Sequence, residues 1–433
     1  MKIDSIHVKN FRAIRDLELP LDRSLTVLHG NNAQGKTSVL SAIALGLSRI
    51  PKLLGAPKSN TFNAADVRMG SHSTEVTLKS TSGMKWTTKE LSNDFPKYVR
   101  SLDNSRSSDK DLQIWIKAIS KEIDEGVTVD LPVIAFYDTE RAVFGLPQRR
   151  RDFVEKFNRL DAYKDSLAAK SSFKSLFEWF YAKESDELRL RRDGPDKKAI
   201  LPELRAVRLA IEGMMPDIHD PHIETNPLRF VVRMGDAGKK GTRLALDQLS
   251  GGYRIMLAVA SDLARRMALA NPHLPDPLAS EAIVLIDEVE LHLHPDWQQR
   301  VLIDLNRTFP NTQFIVSTHS PQVLTTVRPE QIIRLRSVDD NVIAERETAP
   351  TFGNEAGNVL SSVMGVQERP DTNPFSYKLR RYRDLIALGD GVSDEARALR
   401  AELDALSPHD PALAAADVDI DRQRILRELA ARK

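Results

Sequence analysis

The stretch Gly30-Asn31-Asn32-Ala33-Gln34-Gly35-Lys36-Thr37 decides how the rest of the chain is read. It has the form G-x-x-x-x-G-K-[ST], and its flanks are what that form requires. Before it, apolar residues alternate as in strands: Ile3, Ile6 and Val8, then Leu17, Leu19 and Leu21, then Leu25, Val27 and Leu28. After it, Val39, Leu40, Ile43 and Leu47 recur at helical spacing until Pro51 ends the pattern. Glycines let such a loop curl so that successive N–H groups point at phosphate oxygens, and the helix start adds partial positive charge. Lys36 is expected to reach the β- and γ-phosphates of ATP. Thr37 offers its hydroxyl to Mg²⁺, while Asn31, Asn32, Ala33, Gln34, Gly35 and Ser38 complete the cradle. A chance match somewhere in a chain of this length has a probability on the order of 1–2%.

Three further segments fall into line behind the loop. Ile283-Val284-Leu285-Ile286-Asp287-Glu288 is an apolar strand ending in two acids. A parallel strand beside the phosphate loop would carry Asp287 to the metal and place Glu288 where a general base holds the attacking water. Leu249-Ser250-Gly251-Gly252-Tyr253 opens a long helix, and Ser250, Gly251 and Gly252 can form a second anion cradle at its start. Phe314-Ile315-Val316-Ser317-Thr318-His319-Ser320-Pro321 is a strand followed by a helix with proline at its first position, and His319 stands at the junction. Taken singly, an acidic strand end, a capping serine or a terminal histidine is an ordinary structural feature. Their common order is what points to nucleotide chemistry.

That order resembles the ABC ATPases, whose LSGG signature matches Leu249-Ser250-Gly251-Gly252. The resemblance implies that the signature faces the γ-phosphate held by another subunit, so that hydrolysis needs dimerisation. It also assigns His319 a contact with the γ-phosphate and the catalytic water. Asn10-Phe11-Arg12 near the amino terminus is similar to the RecF/SMC branch, which implies Arg12 beside the adenine. Asp287-Glu288-Val289-Glu290-Leu291-His292-Leu293-His294-Pro295 is similar to the DEPELHLHP text of soluble AAA-labelled ABC ATPases found beside nucleases, with Val289 in place of proline. His292 and His294 raise a metal site but lack an identifiable third ligand, and the alternative is a dimer-contact loop. Phe352-Gly353-Asn354-Glu355-Ala356-Gly357-Asn358-Val359-Leu360 and Gly365-Val366-Gln367-Glu368-Arg369-Pro370 resemble the carboxyl module of PtuA-type ATPases of Septu and retron anti-phage systems. This implies a homodimer or higher homo-oligomer, an HNH nuclease partner of the PtuB kind, and in a retron a reverse transcriptase with its msDNA. A RecF-like repair ATPase and a weakly hydrolysing nucleotide-binding scaffold are the other readings. The lobe lacks the heptads of an SMC coil, and no Toprim acidic cluster follows the ATPase motifs.

The 433 residues carry 62 Lys and Arg against 61 Asp and Glu and no cysteine, which excludes disulfides and thiolate chemistry and fits a cytoplasmic home. The charged amino terminus has no signal-peptide core, and no uncharged apolar run is long enough to span a bilayer, so no membrane role is expected. The expected fold is α/β: an ABC ATPase head with a mixed, largely parallel sheet. Residues 1–140 form the first part of its core, 141–227 a helical lobe insertion, 228–349 the second part, and 350–433 a helical partner or oligomerisation module. Within the lobe, Phe173, Leu176, Phe177 and Phe180 share a helical face, and Arg149, Arg150, Arg151, Arg189, Arg191 and Arg192 could touch nucleic acid or form a solvated face. A long helix is expected over 252–270, helices over 296–308 and 321–327, and a hairpin through Asp339, Asp340 and Asn341. The Q-loop equivalent falls either at 137–141 or at Gln148.

Overall fold

In the computed structural model, residues 1–57, 63–92, 108–139, 156–168, 173–236, 241–367, 369–370 and 372–431 are described. Glu140, Arg141, Gln148, Arg149, Arg150, Arg151 and Glu368 lie outside them. Two compact units result, Met1–Val359 and Leu360–Lys433.

The first unit begins with β1 (Ile3–Phe11), β2 (Ile14–Pro20) and β3 (Leu25–His29), and then the phosphate loop leads into α1 (Lys36–Leu47) and α2 (Arg49–Leu53). β4 (Ser73–Ser80), β5 (Lys85–Leu91), α3 (Lys110–Asp124) and β6 (Val133–Tyr137) follow. Next come α4 (Phe173–Asp193), α5 (Pro202–Met214), β7 (Ile218–Thr225), β8 (Leu228–Met234) and β9 (Thr242–Ala245). The chain then forms α6 (Gly251–Ala270), β10 (Ala282–Ile286), α7 (Pro295–Gln298), α8 (Val301–Thr308), β11 (Thr312–Thr318) and α9 (Pro321–Leu324). The unit ends with β12 (Ile332–Val338), β13 (Asn341–Arg346) and the start of α10 (Ala356–Ser362).

The central sheet has the order β13-β12-β3-β11-β10-β6. Its first five partners from β6 inward run parallel, and β13 is added antiparallel at the edge. β3, β6, β10 and β11 are buried along their whole length, as expected of strands covered on both faces. A second, antiparallel sheet has the order β2-β1-β4-β5. α1 lies between the two sheets, which is why it is buried all round rather than along the single face its leucines and isoleucine mark out. Trp86 Nε1 donates to the Gly46 carbonyl at 2.9 Å, and a Cβ on Gly46 would come within 2.7 Å of Leu78, so β4 and α1 touch nearly backbone to side chain.

A third sheet, β7-β8-β9, packs through β7 with α4 and α5. Phe173, Leu176, Phe177 and Phe180 are buried, and the Phe180 and Phe230 rings meet edge to face at 5.3 Å. Residues 218–225, read as the end of a helical block, are instead β7, antiparallel to β8. Pro221 cannot occupy a helix interior, and Ile218 and Ile223 are buried. The helix expected over 296–308 is divided at Gln299 and Arg300 into α7 and α8, and that expected over 321–327 is the single turn α9.

The second unit contains α11 (Pro374–Leu388), α12 (Asp394–Leu406) and α13 (Pro411–Ala431). Phe375, Leu379, Tyr382, Leu385, Leu403 and Leu413 form the centre of its own core. Arg369 binds the Asp410 carboxylate with both terminal nitrogens, at 2.8 and 2.7 Å, and so pins the α12–α13 turn. No described helix is long and apolar enough to cross a membrane.

Candidate nucleotide site

The carboxyl ends of β3, β10 and β11 lie side by side, because Thr318 is in register with His29 and Val316 with Ile286. Parallel strands place all such ends on one edge, where open α/β sheets bind ligands. The loop leaving β3 starts at Gly30, whose φ is 151°. A Cβ there would meet the Leu335 carbonyl oxygen at 2.5 Å, so glycine is required by both conformation and space. Gly35, at φ 89°, stands at the N-cap of α1 and has no side chain to occupy the first-turn N–H groups. The Asn31 N–H donates to Gln34 Oε1 at 2.9 Å. Lys36 folds over the loop and donates from Nζ to the carbonyls of Gly30 at 2.9 Å and Asn31 at 3.0 Å. Burial lowers the Lys36 pKa, while Asp287, Glu288 and Glu290 pull it the other way.

Across the pocket, Thr37 Oγ1 donates to Asp287 Oδ2 at 2.7 Å. Asp287 is 1% exposed, and its other oxygen accepts the Ser317 hydroxyl. The same Ser317 oxygen accepts the Glu288 N–H at 2.8 Å. Glu288 adopts φ 45°, a left-handed conformation that is strained for a side chain of its size. One step further, Glu290 takes the Thr318 hydroxyl at 2.8 Å and the His319 N–H at 2.6 Å on its two oxygens. Burial, and next Lys36, lower the His319 pKa, opposed by Glu290, Glu288 and Asp287. The net effect favours the neutral imidazole.

One pocket gathers Asn32, Ala33, Gln34, Gly35, Lys36, Thr37, Ser38, Asp287, Glu288 and His319, together with Ala13. Asn31 contributes its carbonyl to Lys36 rather than a lining surface. Arg12 does not line the pocket. Its Nε donates to Asp66 at 2.8 Å beside the turn that presents Ala13. Ser250, Gly251 and Gly252 also stand apart from the pocket, at the start of the 20-residue α6. There a Cβ on Gly252 would lie 2.9 Å from the His292 carbonyl, and the Tyr253 ring meets Trp297 at 4.5 Å. His294 caps α7, and among the described residues no group of His, Asp and Glu side chains gathers as a metal cage. Ser317 and Glu290 have no role that the motifs containing them reveal. Only the register of β10 against β11 brings them to Asp287 and His319.

Thr37 and Asp287 are hard oxygen donors held within hydrogen-bond distance of each other, which fits a divalent cation such as Mg²⁺. The phosphate loop, the acidic strand end and the histidine thus stand on one edge of a parallel sheet, the arrangement expected of an ABC-type ATPase head. The AAA domain family matches the chain over residues 5–217. It is 27% identical to the retron Ec83 probable ATPase of Escherichia coli, over 98% of this chain and 87% of that one. It is 28% identical to the retron Vc95 probable ATPase of Vibrio cholerae serotype O1 biovar El Tor, over 85% of this chain and 80% of that one. The Septu protein PtuA of Bacillus mycoides (strain KBAB4) is 31% identical over 30% of this chain and 18% of its own length. The chain thus resembles the retron ATPases and PtuA.

Proposed function

We propose that the chain binds ATP with Mg²⁺ and hydrolyses it as a dimer, serving as the ATPase subunit of an anti-phage defence complex. The observation that carries this reading is the Thr37–Asp287 contact at 2.7 Å, with Lys36, Glu288 and His319 lining the same pocket. Lys36 and the loop N–H groups would hold the β- and γ-phosphates, and Thr37 and Asp287 the cation. A cation bound there neutralises charge as the terminal phosphoryl group is transferred. Glu288 orients the attacking water and accepts its proton, and neutral His319 donates a hydrogen bond to the γ-phosphate side. The second anion cradle at Ser250, Gly251 and Gly252 would be supplied by another copy.

Similarity to the retron ATPases over most of their length supports the defence setting. There nucleotide state would govern an HNH nuclease or a retron effector, the latter with a reverse transcriptase and its msDNA. Glu288→Gln tests the chemistry: the variant should keep ATP bound through gel filtration and lose at least about 100-fold in turnover. Unchanged turnover would remove Glu288 from its role. Co-purification of the tagged chain with the products of adjacent genes tests the setting, and recovery of neither a nuclease nor a reverse transcriptase would contradict it.

A further inference from the structure

The acidic segment after β10 does more than supply a metal carboxylate and a base, because it also holds the end of β11. Glu290 Oε1 accepts the His319 N–H at 2.6 Å and Oε2 accepts the Thr318 hydroxyl at 2.8 Å. The Thr318 oxygen in turn accepts the Ser320 N–H at 3.0 Å, and Ser320 Oγ donates to Gln298 Oε1 at 2.6 Å. Both neighbours of His319 are therefore tied to the 288–298 segment, while the imidazole itself lines the nucleotide pocket. A carboxylate that binds two adjacent donors fixes the peptide between them, which is an expensive arrangement to leave half made. Thr318 is fully buried, so its hydroxyl has no water to fall back on.

We propose that Glu290 is a positioning residue for hydrolysis, holding the Thr318–His319 peptide so that the His319 ring faces the terminal phosphate. This rests on the ATPase reading above and adds a residue to it. The clamp acts through geometry, in addition to the charge that Glu290 sets against His319 and Lys36. A glutamine at 290 keeps the His319 N–H on its carbonyl but reverses the second bond, its amide donating to Thr318 Oγ1 and leaving the Thr318 proton without that acceptor. An alanine keeps neither. Displacement of a catalytic group by a fraction of an ångström costs turnover more than it loosens the phosphate loop.

Steady-state ATP hydrolysis by the full chain tests this with Glu290→Ala, Glu290→Gln, His319→Ala and the Glu290→Ala/His319→Ala pair. Glu290→Ala should lower kcat about tenfold or more with KM within about twofold, and Glu290→Gln, which keeps the His319 arm, should lose clearly less. In the His319→Ala background, Glu290→Ala should cost nothing further, since its effect runs through His319. Equal losses in the alanine and glutamine variants, or additive losses in the pair, would overturn the proposal. If Glu290→Ala does not fold, Thr318→Val removes one arm of the clamp and should show the same dependence on His319, and independence would again overturn it. Absence of hydrolysis by the unsubstituted chain would instead overturn the ATPase reading.

Discussion

His29, the last residue before the phosphate loop, is 2% exposed and faces Glu347 at 3.4 Å. Burial lowers its pKa more than Glu347 raises it, so the fold holds the imidazole neutral. The unfolded chain has no such constraint and takes up a proton as pH falls below about 6.5. Between that point and the lowered pKa of the fold, the unfolded state binds more protons, so stability is lost as pH falls. Urea unfolding at pH 7 and pH 5 should show this loss, and His29→Asn should reduce it. An equal loss in the variant would show that His29 is not its source. Around His29 the loop residues are individually legible in sequence, because each glycine and Lys36 answers to a local geometric need. Glu290 and Ser317 are not legible in that way. Their partners lie about 30 residues away, and which carboxylate meets which donor depends on strand register.

Among the elements, α6 joins two tasks. Its start carries Ser250, Gly251 and Gly252, and its middle buries Asp262 between Arg265 and Arg266. Burial alone would raise the Asp262 pKa, but Arg266 and Arg265 outweigh it and hold the carboxyl at about 2. Tyr137, at the end of β6, donates to the same carboxylate at 3.1 Å, and Arg266 reaches the Ala162 and Lys164 carbonyls at 2.6 and 2.9 Å. Asp262→Ala would leave two guanidinium groups buried without their shared counter-ion, at a cost of about 3–5 kcal/mol. Chemical denaturation should show that loss, and a change below about 1 kcal/mol would contradict the account of this cluster. α6 was readable as a long helix because its apolar period is unbroken, and the buried strands because their apolar runs are continuous. β7 was not, since Asp220, Pro221 and His222 interrupt its pattern and only pairing with β8 makes it a strand. The second sheet escaped for a similar reason: β1 and β2 alternate clearly, but nothing local says that they pair with β4 rather than join the parallel sheet.

At the scale of the molecule, the pocket and the second anion cradle are separate parts of one chain. The pocket draws on Ala13, the loop, the β10 end and His319, and Ser250, Gly251 and Gly252 are not part of it. A closed two-fold pair would bring the cradle of each copy to the pocket of the other. Mixing two disabled variants tests this most directly. Lys36→Ala lacks a working loop but keeps its cradle, and Ser250→Arg keeps its loop but blocks its cradle. Each alone should be inactive, while their equimolar mixture should recover up to about a quarter of wild-type ATP hydrolysis, because half the dimers carry one intact composite site of two. A mixture no more active than its components, or a fully active Ser250→Arg protein, would contradict the account.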